Sequence, residues 1–326
     1  MNFTGLLKEN RAIVLFLLLF VCLYSYTFDK KIDLNGDNTG YYMLAKSMAD
    51  GQGYSNLNLR NKPPANSWPP GYPLVMLPVL KFMPVSSVVT ALKIENGIFL
   101  ISGLILFFLF MLRIGISKRL AITITLLNIS NIYLLKFADV MMSEMSFLFF
   151  SLLLLYYLLD LYQSDQPFTD YRCYLAVIVL GFLYLIKTQS ITLIVAVLLA
   201  LAIKRKWKAA VLSTAGVVLC NLPWMIRNYM NDLGTSRYFD QLVKVNPWRP
   251  EAGTVTIFGV LERFLDNLIY FITKAIPDAL FPFVHINYAS DSAFHWLAGI
   301  IILVVFIYSF RCLPDFIGIT LCFYFV

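Results

Sequence analysis

Charge is what this sequence has least of. Only 14% of its 326 residues are Asp, Glu, Lys or Arg, against about a quarter in a soluble globular chain. So little charge cannot cover a water-facing surface, and it equally excludes a charge-rich disordered chain. Histidine is scarcer still. His285 and His295 are the two present; neither has a companion His or Cys motif, and both read as structural or interfacial. The five cysteines, Cys22, Cys173, Cys220, Cys312 and Cys322, are odd in number, form no Cys-x-x-Cys pair and all fall in apolar stretches. They read as small buried hydrophobes, not as a disulfide framework or a zinc site. There is no Gly-rich phosphate loop, no internal repeat and no low-complexity tract, so neither a soluble-nucleotide site nor a repeat array is expected.

What fills the chain instead is apolar residue. Hydrophobic types make up 59% and aromatics 16%, with 27 Phe and 19 Tyr. That composition predicts an all-α, polytopic helical membrane protein. About nine spans are expected, near 12–28, 88–112, 119–136, 140–162, 173–187, 189–203, 209–226, 296–310 and 313–326. The first has a bulky far end, Cys-Leu-Tyr-Ser-Tyr-Thr-Phe, and reads as an uncleaved anchor rather than a signal peptide. The last ends at Val326 inside apolar sequence, the pattern of a truncated chain. The net charge of +7 resides in short gaps between apolar runs, which argues against nucleic acid as the partner. Lys and Arg concentrate in 1–11, 113–118, 163–172 and 204–208, so the positive-inside rule puts the N-terminus in the cytoplasm of a multi-pass cell (inner) membrane protein.

A single transmembrane module over 1–326 is expected, with two long outer loops, 29–87 and 227–295. In the first, Tyr41, Leu44, Ala45 and Met48 share one helical face, and Gly51 and Gly53 close the helix. It reads as an interfacial helix. Tyr72–Pro84 is apolar but too short to span, and reads as re-entrant or interfacial. The second loop, with Trp248, Phe281 and Phe283, reads as membrane-docking or site-covering.

Polar residues then gather on one expected membrane face. They are Asp37; the Trp68-Pro-Pro-Gly-Tyr-Pro73 turn; Asp139, Ser143 and Glu144 at the start of the fourth span; the Lys187-Thr188-Gln189 turn; and Arg227-Asn228 at the end of the seventh. Ionisable groups at membrane depth pair with one another or mark function. Lys93 and Glu95, two apart on their helix, take no assigned site. Asp139 reads as a helix cap, and Asp37 has a capping alternative. Glu144 reads as lying a turn inside its helix, as a second acid, a metal ligand or a partner for Lys136 or Lys187.

These motifs resemble the GT-C glycosyltransferases, the group of protein O-mannosyltransferases and aminoarabinose transferases. The resemblance rests on Asp37 ahead of Tyr41-Tyr42 and Gly51-Gln-Gly53-Tyr54, on Pro69-Pro-Gly-Tyr-Pro73, on Ser143-Glu144 and on Pro223-Trp224-Met-Ile-Arg227-Asn228. It covers roughly residues 30–230. Asn38 stands where many relatives have Glu, and Trp68 where many have Lys. The resemblance implies a polyprenyl-phosphate-linked sugar as donor and a lipid, glycan or protein acceptor. It implies Asp37 as general base, its pKa raised by burial, and inversion at the anomeric carbon. Lys187, Arg227, Arg60 and Lys62 would neutralise the leaving phosphate. Tyr41, Tyr42, Trp68 and Tyr72, with Glu144, would line the substrate site. No metal ligand set is evident, and a divalent cation stays open because some members of the group use one. The competing classes are a transporter or flippase of a lipid-linked saccharide, disfavoured by the lack of repeated halves, and an inactive assembly subunit.

Overall fold

The computed structural model describes residues 11–33, 36–233, 243–246, 249–280, 288, 293–309 and 313–325. Two compact units form, residues 1–233 with 319–326, and residues 234–318. Trp248, Phe281, Phe283 and His285, together with Lys8, Arg311 and Cys312, lie outside the described residues.

The first unit is a helical bundle. Its elements are α1 (Arg11–Thr27), α2 (Asn38–Ala49), α3 (Gly71–Phe82), α4 (Val88–Arg113), α5 (Lys118–Ile129), α6 (Ile132–Ala138), α7 (Glu144–Gln163), α8 (Tyr171–Ile186), α9 (Ser190–Ile203) and α10 (Trp207–Met230). The expectation of about nine spans is corrected. Among the described residues, α4, α7 and α10 are long and apolar enough to cross a membrane, and the α5–α6 pair makes a fourth if its 58° bend is one broken span. The physical reason is length. At 1.5 Å per residue, α8 and α9 reach only about 24 and 21 Å, short of a hydrocarbon core of about 30 Å. The break between α5 and α6 also has a named cause. The Asn131 side chain accepts from the Tyr133 and Leu134 N–H groups, starting a new helix where the expected span should have continued.

Parallel α4 and α7, with α8 antiparallel to both, form the centre of the bundle. At one end, Arg113 of α4 grips Asp160 of α7 with both terminal nitrogens, at 2.7 and 2.6 Å. Arg172 of α8 reaches the same carboxylate at 3.3 Å. Lys206 meets Asp165 nearby in the chain, at the head of α10. The opposite end of the same three helices carries the residues singled out above.

Small residues set the spacing between α8 and α10. A Cβ on Gly181 would lie 2.7 Å from that of Cys220, and one on Gly216 would collide with Val177. Side chains this small let two helix backbones approach closely. Asn221 of α10 completes the seam by donating to the Gly181 carbonyl at 3.1 Å.

The second unit holds α11 (Ile257–Tyr270), a π-helical turn (Phe271–Ala275), α12 (Ile276–Leu280) and α13 (Ala293–Ser309). α14 (Asp315–Phe325) crosses the boundary between the units. Among the described residues the cysteines Cys22, Cys173 and Cys220 are free.

Candidate functional site

The site begins at the head of α2. Asp37 occupies the N-cap position, yet its side chain makes no capping bond. Its Oδ2 accepts the indole N–H of Trp68 at 3.1 Å. Gly40 makes this reach available. A Cβ there would stand 2.7 Å from the Trp68 ring, which lies across the helix. Asp37 is half-buried, and its Oδ1 faces no protein donor among the described residues. The capping alternative is therefore replaced by a positioned carboxylate.

One turn later, Tyr41 drops into the core. Its ring meets Trp68 at 5.5 Å and Tyr72, edge-on, at 5.1 Å. Its hydroxyl lies 3.4 Å from Ser143 Oγ. That contact joins the first loop to the head of α7, 102 residues away. Tyr41 and Tyr72 are 2% and 0% exposed, so they support the site from beneath and do not line a surface. Tyr42 and Trp68 are only partly buried and keep surface for a ligand.

Tyr72 opens α3, which docks tightly on α8. A Cβ on Gly71 would collide with the Leu185 and Ile186 backbone, so only glycine permits this approach. The contact brings the Pro-Pro-Gly-Tyr-Pro turn beside Lys187. Lys187 ends α8, and its Nζ meets Glu144 Oε1 at 2.8 Å. Glu144 is the first residue of α7, not a turn inside it, so the positive end of the helix also favours its charge. Of the two expected partners, Lys187 is the one found. The other carboxylate oxygen, Oε2, is buried and accepts no hydrogen bond.

Arg227 is engaged with the backbone of the first loop. Its Nη1 donates to the Ala65 carbonyl at 2.6 Å and its Nη2 to the Tyr54 carbonyl at 2.7 Å. The guanidinium also lies over the Trp224 and Tyr54 rings, 5.0 and 5.6 Å from their centres. Tyr54 and Ala65 close a narrow loop around the Ser55–Pro64 bridge. Arg227 thus clamps the base of this loop, and Tyr54 in turn donates to the Trp68 carbonyl at 2.9 Å. Arg60 and Lys62 are exposed at the tip of that loop, and no contact among the described residues ties them to Asp37 or Glu144.

Asn96 was not singled out in the sequence, and Glu95 was given no site there. Asn96 of α4 donates to the Tyr72 hydroxyl at 3.1 Å and to the Val140 and Met142 carbonyls, tying α3, α4 and the head of α7 together. Glu95 beside it has a buried Oε2 without a hydrogen bond. The signal was the polar run Lys93-Ile-Glu95-Asn96 inside an apolar helix. Lys93 is 2% exposed and pairs with Asp139 at 3.6 Å, while Asp139 Oδ2 also accepts the Asp29 N–H at 2.9 Å. Asp139 therefore staples α1 to α4 and does not cap α7. Burial holds its carboxyl above the ordinary aspartate range, and the Asp29 N–H and Lys93 pull it back only in part.

No group of three or more His, Cys, Asp or Glu among the described residues converges as a metal ion would need. The chemistry proposed below runs through side chains. What the arrangement offers is a half-buried carboxylate with one open oxygen, a carboxylate–ammonium pair, and aromatic surface between them. Comparison with protein-family models, with curated proteins and with solved structures finds no match to this chain.

Proposed function

We propose that this chain is an integral membrane glycosyltransferase. It moves a sugar from a polyprenyl-phosphate-linked donor to a hydroxyl on a lipid, glycan or protein. The observation that carries the reading is the joining of Asp37 and the Glu144–Lys187 pair through Trp68, Tyr41 and Ser143, at one end of the bundle.

In the proposed reaction, Asp37 Oδ1 takes the proton of the acceptor hydroxyl. The freed oxygen attacks the anomeric carbon, and the bond from that carbon to the phosphate oxygen breaks. The polyprenyl phosphate leaves with that electron pair, and the anomeric centre inverts. Trp68 holds the carboxylate in one orientation. Lys187 neutralises the growing charge on the phosphate, and Glu144 keeps the ammonium in place meanwhile. The apolar helices around the site suit the isoprenoid chain of the donor.

The orientation proposed is site outward and N-terminus cytoplasmic. Supporting it, Arg113, Arg172 and Lys206 share the end of the bundle opposite Asp37, where the positive-inside rule expects the cytosol. The test is incubation of the purified protein with a panel of polyprenyl phosphosugars and candidate acceptors. Release of free polyprenyl phosphate with a glycosylated acceptor supports the enzyme. Vectorial movement of an intact lipid-linked sugar in vesicles, without transfer, would replace it with a transporter.

A further inference from the structure

The most one-sided helix among the described residues takes no part in the site described above. α11 runs Ile257-Phe-Gly-Val-Leu-Glu-Arg-Phe-Leu-Asp-Asn-Leu-Ile-Tyr270, and none of its residues is buried. At 100° per residue, Ile257, Phe258, Leu261, Phe264, Leu265 and Leu268 fall on one arc. All six are exposed, Phe258 to 84%. Glu262, Arg263, Asp266 and Asn267 occupy the other side. The polar side is the one tied to its own unit, because Arg263 donates to the Lys244 and Val245 carbonyls at 3.1 and 2.7 Å. The apolar arc is therefore left facing outward.

Crossing a bilayer does not explain this face. The helical run continues from Ile257 through the π-helical turn to Leu280 and carries five charges, Glu262, Arg263, Asp266, Lys274 and Asp278, too many for a span. A lipid surface does explain it. α11 runs into the π-helical turn, and that turn packs against α13, where a Cβ on Gly299 would lie 2.9 Å from the Ile272 carbonyl oxygen. α13 is apolar around its circumference and largely exposed, as Leu297, Ile300 and Val304 illustrate. A helix apolar all round has protein or hydrocarbon as its solvent, so hydrocarbon lies within reach of the segment that continues α11.

We propose that α11 lies flat in the membrane interface, with its apolar arc among the acyl chains and its Glu262–Asp266 side in water. The attraction is hydrophobic and not electrostatic. The helix carries two acidic residues and one basic, and that basic residue is engaged with backbone carbonyls, so nothing on it selects anionic lipid.

The test uses the full chain in lipid nanodiscs, with the five native cysteines replaced by alanine and one spin label placed at a time. Labels at Leu261→Cys, Leu265→Cys and Leu268→Cys should be reached by oxygen and shielded from a water-soluble nickel reagent. Their depth should be about 5–10 Å below the headgroups. Labels at Glu262→Cys and Asp266→Cys should show the reverse. The depth should be the same in phosphatidylcholine alone and with added phosphatidylglycerol. Nickel access on both faces would overturn the proposal, since the arc would then face water. Loss of access to both reagents at 261, 265 and 268 would also overturn it, because a second copy or another part of the chain would then cover the arc. Insertion that appears only with phosphatidylglycerol would overturn its hydrophobic basis.

Discussion

Trp68 donates its indole N–H to Asp37 at 3.1 Å across 31 residues of sequence. That bond turns the residue at the head of α2 from a helix cap into an aimed carboxylate. Asp37→Asn can keep an oxygen toward Trp68 and so preserve the bond, while losing the ability to take a proton. Transfer is expected to fall on the order of 10²-fold or more, with the detergent melting curve unmoved. Near-normal turnover by this variant would remove Asp37 from the chemistry.

The Glu144–Lys187 pair separates a structural role from a functional one. Its side chains are roughly a quarter exposed, so Lys187→Met is expected to cost only about 1 kcal/mol of stability. Transfer should drop on the order of 10²-fold. The exchanged pair Glu144→Lys with Lys187→Glu should recover only part of the stability, because each charge then sits at the unfavourable helix end, and none of the transfer. Recovery of both would reduce the pair to a strut.

Arg227 holds two backbone carbonyls with two nitrogens of one planar group. Lysine carries the charge but not the fork. Arg227→Lys is expected to free the 54–65 loop by on the order of 3 kcal/mol, taking each charged hydrogen bond at about 1.5. Limited proteolysis near Arg60 and Lys62 would report it as faster cutting. An unchanged cleavage pattern would mean that the clamp contributes nothing to the closed loop.

Among the described residues, Lys93 and Asp139 form the most enclosed ion pair of the first unit. Lys93→Met leaves the Asp139 charge buried and uncompensated, an arrangement that costs about 3–5 kcal/mol. A drop in thermal stability of that size is expected, measured by the melting of the protein in detergent. Adding Asp139→Asn should return part of it, because no bare charge then remains. A single variant as stable as the parent would show that water reaches the pair.

Gly71→Ala places a methyl group against the backbone of Leu185 and Ile186. Overpacking of this kind costs about 1–3 kcal/mol. Because α3 must then back away from the end of α8, transfer should weaken even though no polar residue has changed. Full activity with full stability would show that α3 docks more loosely than its glycine implies.

The sequence made the α2 helix and the shortness of α3 readable, because helical spacing and proline count speak directly of both. It also offered Lys187 as one of two partners for Glu144, and Lys187 is the one found. Alternating helix direction puts the ends of separate spans on one face whatever their exact lengths. The partners of Arg227 were not readable, since the carbonyls of Tyr54 and Ala65 leave no mark in a sequence. Tyr41 and Tyr72 looked like surface aromatics because edge-to-face burial depends on a partner helix. The number of spans was overestimated for a related reason. Apolar composition does not reveal that Asn131 restarts a helix, or that α8 and α9 each stop well short of a bilayer's width.

The glycines between α8 and α10 have one more effect. Lys187 ends the first of these helices and Arg227 lies in the last turns of the second, so both cations ride on rods locked at Gly181 and Gly216. A thicker or thinner membrane that leans one rod leans the other with it. The gap between the two positive charges is thereby insulated from bilayer thickness, and a single bulky replacement far below them would reset it.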